Sequence, residues 1–220
     1  MISSLPRHHP APDTTACIGV FMSITPTLRI FADLCLFRQR TENVPTSNNL
    51  LLGTAVALVL FCVLSDSHLY NSSYSLPAKA FAYSLWAMLL GTVLLVILKS
   101  NGVAERWRQT ATAIFGTLAL TKLIRWPLAS GVRQDKQYIE EMARELVAAI
   151  NAGIVDYPTP VIQLSIAYYV TWAIVIWALC IQSSILRHAI EVPLWIAFTI
   201  VIGYSVVVFP VWIVILNILM

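Results

Sequence analysis

Charge is what this sequence has least of. Asp, Glu, Lys and Arg make up 11% of its 220 residues, less than half of the roughly 25% usual in a soluble domain. The net charge is only +3, and no stretch gathers Lys and Arg into a stripe of the kind that tracks a phosphate backbone, so a nucleic-acid partner is not expected. Cysteine is equally sparse. Cys17, Cys35, Cys62 and Cys180 form no C-x-x-C pair, and zinc or redox chemistry needs ligands at short spacing. They read as small apolar fillers. The pair His8 and His9 has no further ligand near it. No metal or cofactor is therefore expected. Nor is there a G-x-S-x-G elbow or an H-E-x-x-H pair, the local signatures of a serine or zinc hydrolase.

Where the few charges fall is as informative as their number. Every Asp and Glu, from Asp13 to Glu191, stands outside the centres of the apolar runs, and His68 and His188 lie at run ends. A proton- or ion-coupled transporter holds its coupling ion with an ionisable group inside the membrane, and that equipment is missing.

Hydrophobic residues make up 58% of the chain, and mean hydropathy is +0.76. They fall in five runs: Leu50 to Leu64, Ala80 to Leu98, Thr110 to Leu120, Val161 to Ile185, and Pro193 to the C-terminus. A membrane-crossing helix needs about 20 apolar residues. The last two runs meet that length and the first is somewhat short. The third, ending at Lys122 and Arg125, reaches across only if those side chains extend to the interface; otherwise it is re-entrant or strongly tilted. The composition predicts an all-α polytopic membrane helix bundle of about five transmembrane helices plus amphipathic interfacial helices.

The domain reading has three parts. Residues 1–24, with Pro6, Pro10 and Pro12, read as a disordered tail, and Met22 is a candidate natural start. Residues 25–48 read as an amphipathic interfacial helix and turn. Thr25-Pro26 opens the helix, Leu28, Phe31 and Cys35 share one face, Arg29 and Asp33 supply the other, and Pro45 ends the turn. A helix packed against the bundle is the alternative for this segment. Residues 49–220 form the bundle. In its long loop Ile139, Met142, Leu146, Val147 and Ile150 recur at helical spacing between Glu140, Glu141, Arg144 and Glu145, which predicts an amphipathic loop helix over about 134–154. Tyr157-Pro158-Thr159-Pro160 then turns the chain. With five crossings, Arg29, Arg38, Arg40, Lys99, Arg106, Arg108 and Arg187 share one side. That places the N-terminus in the cytoplasm.

Candidate sites are few. Lys122 and Arg125 close a short apolar run, where each cation costs about 2.5–3.5 kcal/mol if held at mid-bilayer. They must reach the interface or meet a partner such as a lipid phosphate, which makes them a candidate lipid-headgroup contact. His188 and Glu191 share the last loop and invite an acid–base reading. An acid just before Pro193 at a helix start is the simpler account. Ser165 and Ser205 have no base at a readable spacing and are expected to bond within the helices. Gly53 with Ala57, Ala87 with Gly91, and Thr112 with Gly116 mark close-packing faces. Asn71-Ser72-Ser73 matches a glycosylation acceptor, which has meaning only in a secretory-pathway host.

The order of elements adds a resemblance. An apolar segment from Leu28 to Phe37 leads into Phe37-Arg38-Gln39-Arg40-Thr41-Glu42-Asn43-Val44-Pro45-Thr46-Ser47, then the first run, with two long helices at the end. Over residues 27–219 this resembles the small bacterial membrane proteins of the Yip1-like superfamily; the long insert before the fourth run departs from that pattern. The resemblance implies a five-span fold, a cytoplasmic N-terminus and no catalysis. The expectation is a non-enzymatic inner-membrane scaffold or regulator of a membrane assembly, whose partners are membrane lipids and other membrane proteins or a second copy of itself. The alternative is a passive transporter, channel or lipid-handling protein using Lys122 and Arg125.

Overall fold

The computed structural model describes residues 24–38, 44–69, 75–152 and 164–219, and all the regular structure among them is helical. Seven α-helices follow in order: α1 (Ile24–Cys35), α2 (Asn48–Leu69), α3 (Leu76–Ser100), α4 (Trp107–Arg125), α5 (Ala129–Asn151), α6 (Ile166–Ile190) and α7 (Leu194–Leu219). Single 3-10 turns at Ala104–Arg106 and Trp126–Leu128 lead into and out of α4. The tail up to residue 23, the Asn71-Ser72-Ser73 sequon and the turn at 157–160 lie outside the described residues.

Four helices are long and apolar enough to cross a membrane: Asn48–Ser67, Leu76–Ser100, Ile166–Ile190 and Leu194–Val214. The first two outrun their apolar cores. Helix α2 continues past Leu64 through Asp66 and Ser67 because both are satisfied in place. Asp66 faces Lys79 of α3 at 3.7 Å, and the Ser67 hydroxyl donates to the Val63 carbonyl at 2.8 Å. Asp66 therefore sits in the final turn of a membrane-length helix, outside the centre of the apolar run. Helix α3 starts at Leu76 rather than Ala80 because Pro77 occupies the first turn, where its missing N–H costs nothing.

The third run is the finding that composition did not foretell. It forms α4, which is not among the four membrane-length apolar helices but is the most enclosed element in the fold. Thr110 through Thr117 are buried without a break, and so are Ala119 and Thr121. Helix α4 packs on α2, α6, α1 and α3. A helix solvated by protein on all sides needs no long apolar face. It needs small residues for close approach and hydroxyls that satisfy themselves. Thr110, Thr112 and Thr117 each donate to the carbonyl four residues back, and Thr121 to the one three back.

The amphipathic segments dock. In α1, Phe31, Leu34 and Cys35 are buried in the common core, and the Phe31 ring lies against Gly116 so closely that a Cβ there would meet Cδ1 and Cζ at 2.6 Å. Of the two readings of this segment, packing against the bundle is the one observed. Helix α5 begins at Ala129, earlier than expected, and its first half is anchored. Ala129 and Asp135 are buried, and a Cβ on Gly131 would lie 2.8 Å from Ala167 Cβ of α6. The small-residue faces hold in two cases of three. Ala87 and Gly91 are buried with Phe115 against Gly91, and Thr112 and Gly116 are buried. Gly53 has nothing near it; it is exposed and packs against no helix.

Candidate functional site

Two side-chain contacts fix the ends of α4. Gln109 Nε2 donates to the Val44 carbonyl at 2.8 Å, just before α2 begins. At the other end Lys122 and Arg125 lie close enough to Cys62, in the last turns of α2, for their charges to act on its thiol. Helix α4 thus runs parallel to α2 and along most of its length. Nineteen residues at 1.5 Å rise give about 28 Å, comparable with a hydrocarbon core of about 30 Å.

That second end gathers the ionisable groups. Asp66, Lys122 and Arg125 all act on Cys62, and Asp66 holds Lys79, whose side chain is only 5% exposed against 18% for the acid. Lys79, Lys122 and Arg125 therefore share one end of the bundle with Asp66. Burial of a lone ammonium would be costly, and the Asp66 partner is what makes Lys79 tolerable there. Lys122 and Arg125 are half-buried in the last turn of α4, so the sequence-predicted pair is brought together, and with it Lys79 and Asp66, which no short-range motif marked. The Lys79–Asp66 pair spans the α2–α3 connection, so only folding could reveal it.

Helix α6 is capped at both ends by its neighbours. At its N-terminus Asp135 of α5 accepts from Ser165 N at 3.1 Å and from Ser165 Oγ at 2.5 Å. A carboxylate there meets exposed N–H groups and the positive end of the helix dipole. At its C-terminus Arg106 Nη1 donates to the carbonyls of His188 (3.4 Å) and Ala189 (3.2 Å) and to Glu191 Oε1 (2.8 Å). The last carbonyls of a helix have no partner within it, and Arg106 Nη1 supplies one from another helix. The His188–Glu191 acid–base reading, already the less simple account, gains nothing here, and Glu191 serves the end of α6 together with Arg106. His188 Nδ1 engages the Ser184 carbonyl at 2.7 Å, while Glu191, with φ 56° at the helix C-cap, is taken by Arg106.

Ser205 behaves as expected of a serine inside a helix, whereas Ser165, read as part of the fourth run, stands just before α6 as its N-cap. Ser205 donates to Val201 O at 2.7 Å, and Ser165 serves Asp135. In the core, the Tyr204 hydroxyl donates to Gln182 Oε1, tying α7 to α6. Cys35 and Cys62 are buried and Cys180 half-buried. Burial pushes the Cys35 thiol up to about 11, which leaves it protonated and a poor nucleophile at neutral pH. Among the described residues, no three His, Cys, Asp or Glu side chains cluster as metal ligands would.

The fold and these ends define an all-helical protein with the helices of an integral membrane protein, wrapped around a small-residue central helix. The chain matches no family model, no curated protein and no solved structure.

Proposed function

We propose that this protein is a non-enzymatic scaffold or regulator of a membrane assembly in a bacterial inner membrane, with its N-terminus in the cytoplasm. The observation that carries this reading is α5. Its first half is pinned to α6 through Asp135 and Gly131, while Val147 and Ile150 in its second half stay 56% and 64% exposed. An amphipathic helix anchored in its first half, with Val147 and Ile150 left uncovered farther on, suits a protein partner or the membrane interface better than a substrate. The core polar groups described above are occupied with holding helices together, which accords with a structural role. The fifth crossing is supplied by α4, which runs inside the bundle shielded from lipid. The orientation draws support from Arg106 meeting the end of α6. That contact puts the α3–α4 and α6–α7 connections at one end, with Lys99, Arg106, Arg108 and Arg187 near it, as the excess of cytoplasmic cations requires. The Yip1-like affiliation belongs to this reading and rests on the sequence order alone.

Crosslinking and affinity purification from native membranes tests the role. A specific copurifying membrane protein, lost in Val147→Glu with Ile150→Glu while thermal stability is kept, supports it. Retention of the same partners by the double variant sinks it. A second reading, lipid handling, is favoured by the placement of Lys122 and Arg125 in the last turn of α4, at the end of the bundle that also holds Lys79 and Asp66. It requires that Lys122→Ala with Arg125→Ala lose bound anionic lipid in native mass spectrometry.

A further inference from the structure

We infer that the cleft between α2 and α3 retains one acyl chain of an anionic phospholipid, with the headgroup beside Lys99. The cleft measures about 700 Å³ and opens sideways between the two helices; Leu52, Val56, Met88 and Leu95 line its walls, and Phe115 and Trp107 of α4 lie at its base. It extends along α2 from Leu51 to Val63, about 18 Å at 1.5 Å per residue. One leaflet of hydrocarbon is about 15 Å deep, half of a ~30 Å core, so the cleft has the length of a single lipid chain.

Its polar atoms are already engaged. Ser84 and Thr92 donate to Ala80 O and Met88 O, each at 2.8 Å, and the Trp107 indole N–H donates to Gly91 O at 3.0 Å. What lies within must be hydrocarbon, because a polar occupant would lose its hydration and gain no partner. The two mouths differ, and that difference sets the direction and charge of the lipid. On α3 the lining stripe of Met88, Thr92 and Leu95 continues at helical spacing to Lys99, which is exposed. On α2, Asn48 stands one turn before Leu52 and is also exposed. At the opposite mouth the nearby cation, Lys79, is turned away onto Asp66. An exposed lysine therefore stands in line with the cleft at the Lys99 end, whereas at the other end Lys79 is taken by Asp66 and Lys122 and Arg125 are half-buried, and a juxtamembrane Lys favours anionic lipid. The inference rests on the helices lying in a bilayer and is independent of the scaffold role.

The test uses the full chain in mixed phosphatidylcholine–phosphatidylglycerol vesicles, with a mid-chain diazirine on one lipid or the other, followed by photolysis and peptide mapping. Label is expected to concentrate on the cleft walls over the outward face of α7 at Val206 and Phe209. Phosphatidylglycerol should be favoured there by about fivefold, the effect of one lysine near the membrane surface. Lys99→Ala should abolish that preference, and Ala55→Trp should lower cleft labelling several-fold; Ser84→Phe, on the opposite wall, repeats the filling test if Ala55→Trp fails to fold. Cleft labelling equal to that of the α7 face, or a preference that survives Lys99→Ala, overturns the inference. Absence of label from both faces would instead overturn the bilayer placement itself.

Discussion

Gly116→Ala should be destabilising in the native protein and stabilising once Phe31 is removed. At an open helical position, replacing Gly by Ala gains roughly 0.8–1.0 kcal/mol of helix propensity. Here the new Cβ would intrude on the Phe31 ring, with Cδ1 and Cζ only 2.6 Å away. The ring is 5% exposed and packs within the common core. Overpacking of this kind costs about 1–3 kcal/mol, so the net change is a loss of up to about 2 kcal/mol. Phe31→Ala alone should cost up to about 3–5 kcal/mol, less if α1 then leaves the bundle. In that background Gly116→Ala no longer meets the ring, and its propensity gain stands uncovered. The sign reversal isolates the α1–α4 contact from the general cost of altering a core helix. Denaturant titrations of the four proteins in mixed detergent micelles measure it. If Gly116→Ala stabilises both backgrounds equally, Phe31 does not rest on Gly116 and α1 is not docked as described.

Further outcomes follow from the ends of the helices. Asp66→Ala should cost about 3–5 kcal/mol by stranding the buried Lys79 ammonium, whereas Asp66→Leu with Lys79→Met should fall much closer to wild type in thermal melts. Equal losses would mean that the pair is not desolvated. Arg106→Ala should cost about 1–2 kcal/mol, since it uncaps the last carbonyls of α6, and hydrogen exchange should quicken at residues 186–190 first. Glu191→Gln keeps the Arg106–carbonyl bonds and should cost less than half as much. For Cys35, burial raises the folded thiol from an ordinary 9.0 to about 11, so the native state holds its proton more tightly than the unfolded chain. That stability is fully present below pH 9 and is lost as pH rises toward 11. A melting temperature falling over this window more steeply in wild type than in Cys35→Ala is the expected result; parallel curves would contradict it.

Much of the architecture could be read from the residues, because lipid-facing helices advertise themselves. A surface solvated by acyl chains must be apolar over a bilayer's thickness, and Leu76–Ser100, Ile166–Ile190 and Leu194–Val214 satisfy that by composition alone. The amphipathic periods of α1 and α5 were equally legible, since period 3.6 needs no tertiary information. So was the position of Lys122 and Arg125 as cations ending an apolar run.

The fate of the third run was not legible. Thr110 to Leu120 is too short and too rich in Thr, Ala and Gly to look like a lipid-exposed span, and its true solvent is protein. Sequence patterns report how a helix meets its surroundings, and only the packing of α1, α2, α3 and α6 around α4 reveals what those surroundings are. The same holds for charge. Asp66 with Lys79, Arg106 with Glu191, and Asp135 with Ser165 join residues from separate helices, and each partner alone looks like an ordinary loop or interface charge. Composition thus determined that apolar helices would form and roughly where. Tertiary structure decided which helix lies at the centre and which charges are paired, because both depend on distances across the bundle that no local spacing encodes.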